Sequence, residues 1–226
     1  MAVPVRYRKF QEKAIASYSF TDLASGTGYV VYYGAQAPSG STFLSEQAIN
    51  SDRVTLDSGA AAAVAANEAA ATPKINKNFD VTFNIPRTVK GTVFVEIPHG
   101  WYDSGNQTTY QKVFCQIQKY DGTTATTLVA LSGAQWLASG QTAAAEQRDT
   151  NSSLSGEIPL TNFKKGESLR LNIYDNTWEA GGNNHRIYIG ADPQGRLRTD
   201  KDETTQVNFI SGSTILRALV PFRIDL

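Results

Sequence analysis

Phe79-Asp80-Val81-Thr82-Phe83-Asn84-Ile85 puts four large apolar side chains on alternate positions, with polar residues between them and Pro86 behind. Side chains on a strand alternate between its two faces, so this segment predicts a half-buried β-strand that closes at the proline. The same pattern extends outward. Val93, Val95 and Ile97 alternate up to Pro98, and further runs follow at 110–120, 124–131, 154–160, 169–174, 186–189 and 215–224. Turn pairs separate them: Asp121-Gly122, Ser132-Gly133, Lys165-Gly166, Gly181-Gly182 and Gly212-Ser213. Upstream, Tyr29 to Tyr33 reads as a strand after the turn Ala24-Ser-Gly-Thr-Gly28. Many short strands with polar turns and almost no amphipathic helix predict an all-β fold, an antiparallel sandwich.

The segment Ile158-Pro-Leu-Thr-Asn-Phe-Lys-Lys-Gly-Glu-Ser-Leu-Arg-Leu-Asn-Ile-Tyr174 refines that expectation. A strand runs into a loop anchored by Phe163, turns at Lys165-Gly166, and re-enters through Leu169, Leu171 and Ile173. Such a strand crossing from one sheet to the other predicts a jelly-roll-like sandwich. The chain reads as one domain over 1–226, with residues 1–17 as an N-terminal arm and 58–73 as an alanine-rich insertion. Alanine favours helix, but this run has few large apolar residues to bury. It reads as a short helix or surface loop, or as a segment whose small side chains let a neighbouring subunit approach closely.

Composition narrows the function. Of 226 residues 41% are hydrophobic, enough for a buried core, and Lys plus Arg balance Asp plus Glu at 21 each. A chain that grips phosphates normally carries a basic excess, so no nucleic-acid partner is expected. No apolar run approaches the ~18 residues of a membrane span, and no signal-peptide stretch follows the charged start. Synthesis in a cytoplasm, with no membrane partner, is the expectation. The single cysteine, Cys115, lies in the alternating run Val113 to Ile117 and reads as a small apolar core residue.

Catalytic constellations are sparse. The two histidines, His99 and His185, sit in turn-like contexts and read as surface or turn residues. Without a His/Cys cluster, no metal and no cofactor are expected. Neither a Gly-x-Ser-x-Gly elbow nor a phosphate-cradling loop is present. Asp200, Asp202 and Glu203 interleave with Lys201 and read as a solvated loop. The expectation is a protein that is not an enzyme.

Binding chemistry is richer. Trp101-Tyr102-Asp103 and Asn176-Thr-Trp178-Glu179 combine aromatic rings with amides and carboxylates. Trp101, Tyr102 and Trp178 are therefore candidate contacts for a surface glycan or receptor, expected to be exposed and roughly coplanar. Trp136 reads as packing. Near the start, Arg6, Arg8 and Lys9 form a basic patch suited to an arm that reaches across a subunit boundary.

Three stretches carry a family likeness. Tyr18-Ser-Phe-Thr-Asp-Leu-Ala-Ser-Gly-Thr-Gly-Tyr-Val30, Ile187-Tyr-Ile-Gly-Ala-Asp-Pro-Gln-Gly-Arg196 and Leu219-Val-Pro-Phe-Arg-Ile-Asp-Leu226 resemble segments of structural virion proteins of tailed phages. The resemblance implies a capsid decoration (cement) protein or a minor capsid or tail component, located in the virion. It implies partners as well: copies of itself, a homotrimer being expected, and the major capsid protein. Arg6, Arg8 and Lys9 of the arm, with Phe222 and Arg223 of the last strand, are the expected subunit or shell contacts. The alternative reading is a carbohydrate- or receptor-binding β-sandwich module.

Overall fold

A computed structural model describes residues 27–59, 62–103, 108–138, 146–181, 183–196 and 213–223. Thirteen strands build it: β1 (Thr27–Gln36), β2 (Thr42–Ser45), β3 (Thr55–Asp57), β4 (Ala62–Ala63), β5 (Asn76–Thr82), β6 (Arg87–Asp103), β7 (Thr109–Tyr120), β8 (Ala125–Ser132), β9 (Trp136–Ala138), β10 (Glu146–Phe163), β11 (Ser168–Glu179), β12 (Asn184–Gly190) and β13 (Arg217–Arg223). Among the described residues the sole helical element is a 3-10 turn at Glu68–Ala70. The all-β, jelly-roll-like sandwich expected from the sequence is what forms.

All thirteen strands belong to one hydrogen-bonded sheet, folded into two facing halves, with β4, β9 and β10 branching from its main path. In the first half β6 pairs with β10 along one edge, and with β12 and then β13 along the other; β13 pairs in turn with β1. In the second half β11 lies between β5 and β7, and β7 carries β8 and β9 on its far edge. Strand β2 links the halves, antiparallel to β1 and meeting β5 through one parallel pair, Phe43 with Asp80. The segment at 158–174 makes the predicted crossing: β10 ends at Phe163, which is buried, and β11 begins in the opposite half. Gly166 supplies the positive φ of 90° that the turn requires.

Facing side chains of both halves fill one core. Val89, Val93, Val95 and Ile97 of β6 meet Val113, Cys115 and Ile117 of β7 and Leu169, Leu171 and Ile173 of β11, all fully buried. Cys115 is thus the small core residue its alternation predicted. Phe83, between β5 and β6, packs edge-on against Phe163 (5.1 Å) and Phe222 (5.8 Å).

Two boundaries differ from the sequence reading. β5 starts at Asn76 and stops at Thr82, and Ile85 is 55% exposed, because the chain bends there into β6. β6 does not end at Pro98 but continues to Asp103. On one edge of β6 the β13 ladder has finished at Glu96 and the β12 ladder begins at His99. Pro98 stands in that gap, where a residue lacking an N–H is tolerated best.

Candidate functional site

The inward side chains of three strands switch from apolar to polar at one level. Beyond Ile97, Val113 and Ile173, the next buried positions are His99, Gln111 with Thr109, and Asp175 with Thr177 and Glu179. Register explains the coincidence, since Ile173 pairs with Cys115, Thr177 with Gln111 and Glu179 with Thr109. One end of the sandwich therefore has a polar interior.

Both histidines belong to it, which corrects their reading as surface or turn residues: His99 lies in β6, His185 in β12, and they are 1% and 0% exposed. Gln111 Oε1, 2.8 Å from His99 Nδ1, can only accept, so Nδ1 carries the proton and Nε2 accepts from the Ser152 hydroxyl at 2.8 Å. Burial pushes the His99 pKa down to about 4, so its ring is neutral near pH 7. The resulting serine–imidazole–amide chain ties β10, β6 and β7 together. Its third member is an uncharged amide, which offers no charge to steady an imidazolium.

His185 Nδ1 donates to the Asn183 carbonyl (3.0 Å), while Nε2 lies 2.8 Å from Thr109 Oγ1 and 3.4 Å from Glu179 Oε2. Glu179 also accepts the Asn183 N–H at 2.7 Å, which closes the turn between β11 and β12. Asp175 accepts from the Ile75 N–H (2.9 Å) and the Thr177 hydroxyl (2.7 Å), and burial raises its pKa. These groups are engaged in holding loops and strands.

Trp101 lies inside this end, 0% exposed, between Trp136 (6.0 Å) and His185 (5.9 Å). It presents no face to a ligand, which corrects the reading of Trp101, Tyr102 and Trp178 as one exposed platform. Tyr102 points to the other side of β6 and packs against Tyr188. Trp178, 7% exposed, is stacked on Tyr110 at 5.6 Å with the rings 6° from parallel. Trp136 packs on the core, as its setting predicted. Phe222, expected as a shell contact, is a core residue at 8% exposure, wedged against Phe83 and Tyr32. Its neighbour Arg223 is exposed. Arg6, Arg8 and Lys9 lie outside the described residues.

Two outward faces complete the picture. On the first half, antiparallel register aligns Val31 of β1, Leu219 of β13 and Phe94 of β6 in one row, all facing outward. Phe94 is 44% exposed, and the Tyr29 ring lies 6.2 Å from it. A bidentate pair borders the row, with Arg217 donating to Glu96 at 2.7 and 2.8 Å. On the second half, the outward residues of β7 and β11 pair across the strands: Tyr110 with Trp178, Lys112 with Asn176, Phe114 with Tyr174, Gln116 with Asn172 and Gln118 with Arg170. Phe114 and Tyr174 stack at 4.9 Å. The alanine-rich segment closes one end of this face, with the Glu179 N–H donating to the Ala65 carbonyl (3.0 Å) and Lys112 bound to Glu68 (3.3 Å). Its small side chains permit close approach, here to β11 of the same chain.

The segment following β12 forms a clasp. Asp192, fully buried, accepts from the Arg196 backbone N–H (2.7 Å) and Nε (3.0 Å), and Arg196 Nη2 reaches the Ser51 carbonyl (2.7 Å).

No protein-family model and no curated protein matches this sequence. Among solved structures, a CocE/NonD family hydrolase from Staphylococcus aureus is similar at 12% identity and a TM-score of 0.47, over 87% of this chain and 37% of the hydrolase. This chain thus spans little more than a third of that protein. VP2 in a subviral particle of infectious bursal disease virus is similar at 9% identity and a TM-score of 0.31, over 76% of this chain and 37% of VP2. Eiger TNF from S. frugiperda is similar at 12% identity and a TM-score of 0.26, over 79% of this chain and 99% of that one. Among the described residues no helix is long and apolar enough to cross a membrane.

Proposed function

We propose that this chain is a structural protein of a virus particle, a decoration or cement protein that packs as a homotrimer on a phage capsid and acts by binding without catalysis. The observation that carries this reading is the outward apolar row of Val31, Leu219 and Phe94, flanked by Tyr29. Apolar side chains grouped on a sheet face are stabilised when a second protein surface removes them from water. A neighbouring copy of the chain is the occupant proposed here. The bordering Arg217–Glu96 pair gives the patch the polar rim of a protein interface. The balanced charge of the chain adds little repulsion between copies. In this reading the arm with Arg6, Arg8 and Lys9 reaches the major capsid protein.

Quantitative mass spectrometry of purified particles of the virus encoding this chain tests the proposal. It predicts a fixed copy number per shell subunit, reduced on particles made with a chain lacking Met1 to Lys13. Absence of the chain from purified particles overturns it.

A further inference from the structure

We propose that the outer face of β5, β11 and β7 is a binding site for a neutral polysaccharide. It lies on the opposite half from the apolar row and does not rest on the assembly reading.

The face is a strip of cross-strand rows whose chemistry suits sugars. Its centre is the stacked pair Phe114–Tyr174, with the stacked pair Tyr110–Trp178 four residues further along, about 14 Å away at strand rise. Phe114, Tyr174 and Tyr110 are each partly exposed, and Trp178 backs Tyr110. The exposed edges of these half-exposed rings offer apolar surface to the C–H groups of a pyranose. Two such positions in line favour an extended chain over a single sugar.

Beside the central rings lies a block of five amides. Asn172 Nδ2 donates to Asn76 Oδ1 (2.6 Å) and Asn78 Oδ1 (2.8 Å), and Gln118 Nε2 donates to Gln116 Oε1 (2.7 Å). That pattern leaves the amide nitrogens of Asn76, Asn78 and Gln116, and the amide oxygens of Asn172 and Gln118, without a partner among the described residues. Asn176 Oδ1, in the row between the two aromatic pairs, has no hydrogen-bond partner among the described residues but is buried, so the five amides and not Asn176 Oδ1 supply the accessible polar groups. Neutral donors and acceptors in alternation match hydroxyl groups, each of which both donates and accepts.

Charge selects the polymer. Lys112 is paired with Glu68 at 3.3 Å, and Arg170 makes a bidentate pair with Asp80 at 2.7 and 2.8 Å while lying over the Tyr120 ring. The cations on this strip are thus matched by carboxylates of the same chain, which favours an uncharged polymer over a sulfated or phosphate-bearing one.

Native gel electrophoresis of the full chain tests this, in gels containing hydroxyethyl cellulose, xylan or galactomannan, and in parallel gels containing heparin or polygalacturonate. At least one neutral polysaccharide should retard the protein. Phe114→Ala with Tyr174→Ala should weaken that retardation roughly tenfold or more, as loss of central aromatic anchors does. Gln116→Ala, which alters no ring, should weaken it too, and serves if the double variant unfolds. Leu160→Ser, at an exposed position of β10 on the other half and outside the apolar row, should leave it unchanged. Retardation by no neutral polysaccharide, retardation by the anionic polymers alone, or undiminished binding by Gln116→Ala and the folded double variant would overturn the proposal.

Discussion

Truncating Phe222 to alanine separates a core role from a contact role for the last strand. Its ring is 8% exposed and sits edge-on to Phe83 (5.8 Å, 87°) and tilted against Tyr32 (6.3 Å). Removing a buried phenylalanine takes away its transfer free energy and leaves a cavity, which together cost about 3–5 kcal/mol. Domains are stable by about 5–15 kcal/mol, so the variant folds with a large part of its margin gone. For a chain of this length that corresponds to a fall in melting temperature of roughly 6–20 °C. Urea unfolding followed by tryptophan fluorescence gives the loss directly. A double-mutant cycle with Phe83→Leu should return a coupling of about 0.5–1.5 kcal/mol for the edge-to-face pair. A loss below about 1 kcal/mol, with attachment to particles abolished, would refute the packing argument and restore Phe222 as an outward contact.

Three further expectations follow from the interior. His99 has a folded pKa of about 4, below the ~6.5 of an unfolded histidine, so the unfolded chain binds the proton more readily between those values. Its contribution is fully present above pH 6.5 and is lost as pH falls towards 4, by up to ~3 kcal/mol; His99→Gln should flatten the stability curve over that window, and an unchanged slope would contradict the assignment. Asp175, raised by burial, has the opposite sign and is common to both proteins, so it cancels in the difference. Burial also pushes the Cys115 thiol up, so iodoacetamide should label the native protein no faster than it unfolds, and rapid labelling without denaturant would place the residue elsewhere. Gly34→Ala puts a methyl 2.3 Å from Leu216 Cδ2 and 2.8 Å from its Cγ, an overpacking that should cost about 1–3 kcal/mol in chemical denaturation; a neutral result would mean that Leu216 yields freely.

The parts of the fold legible in the sequence are those with a local period. Val113, Cys115 and Ile117 announce their own inward face, and the Phe163 to Leu169 connection announces a crossing, because the signals lie within a few residues of each other. Strands β2, β3 and β9 are too short to show a period. β6 and β10 extend beyond their apolar runs, since Pro98 looks like a stop when the partner strands are unknown and Glu146 to Ser153 of β10 are all polar. The histidines misled for a related reason: in sequence a buried histidine in a polar run looks the same as one in a turn, and only register shows that the polar ends of β6, β7 and β11 coincide. The aromatic and amide face was hidden because its rows join residues far apart, Phe114 to Tyr174 and Gln116 to Asn172. One signal for it was present. Once Val113, Cys115 and Ile117 point inward, Tyr110, Lys112, Phe114, Gln116 and Gln118 must point outward together.

The solution mass of the purified chain, by light scattering after size exclusion, tests the proposed assembly through the β1–β13–β6 face most directly. For a trimer of 24.6 kDa chains the account predicts about 74 kDa, three times the chain mass, and a fall to the single-chain mass when Phe94→Glu places a charge in the apolar row. A wild-type protein that stays at 24.6 kDa at every concentration, or a Phe94→Glu variant that keeps the wild-type mass, would contradict it.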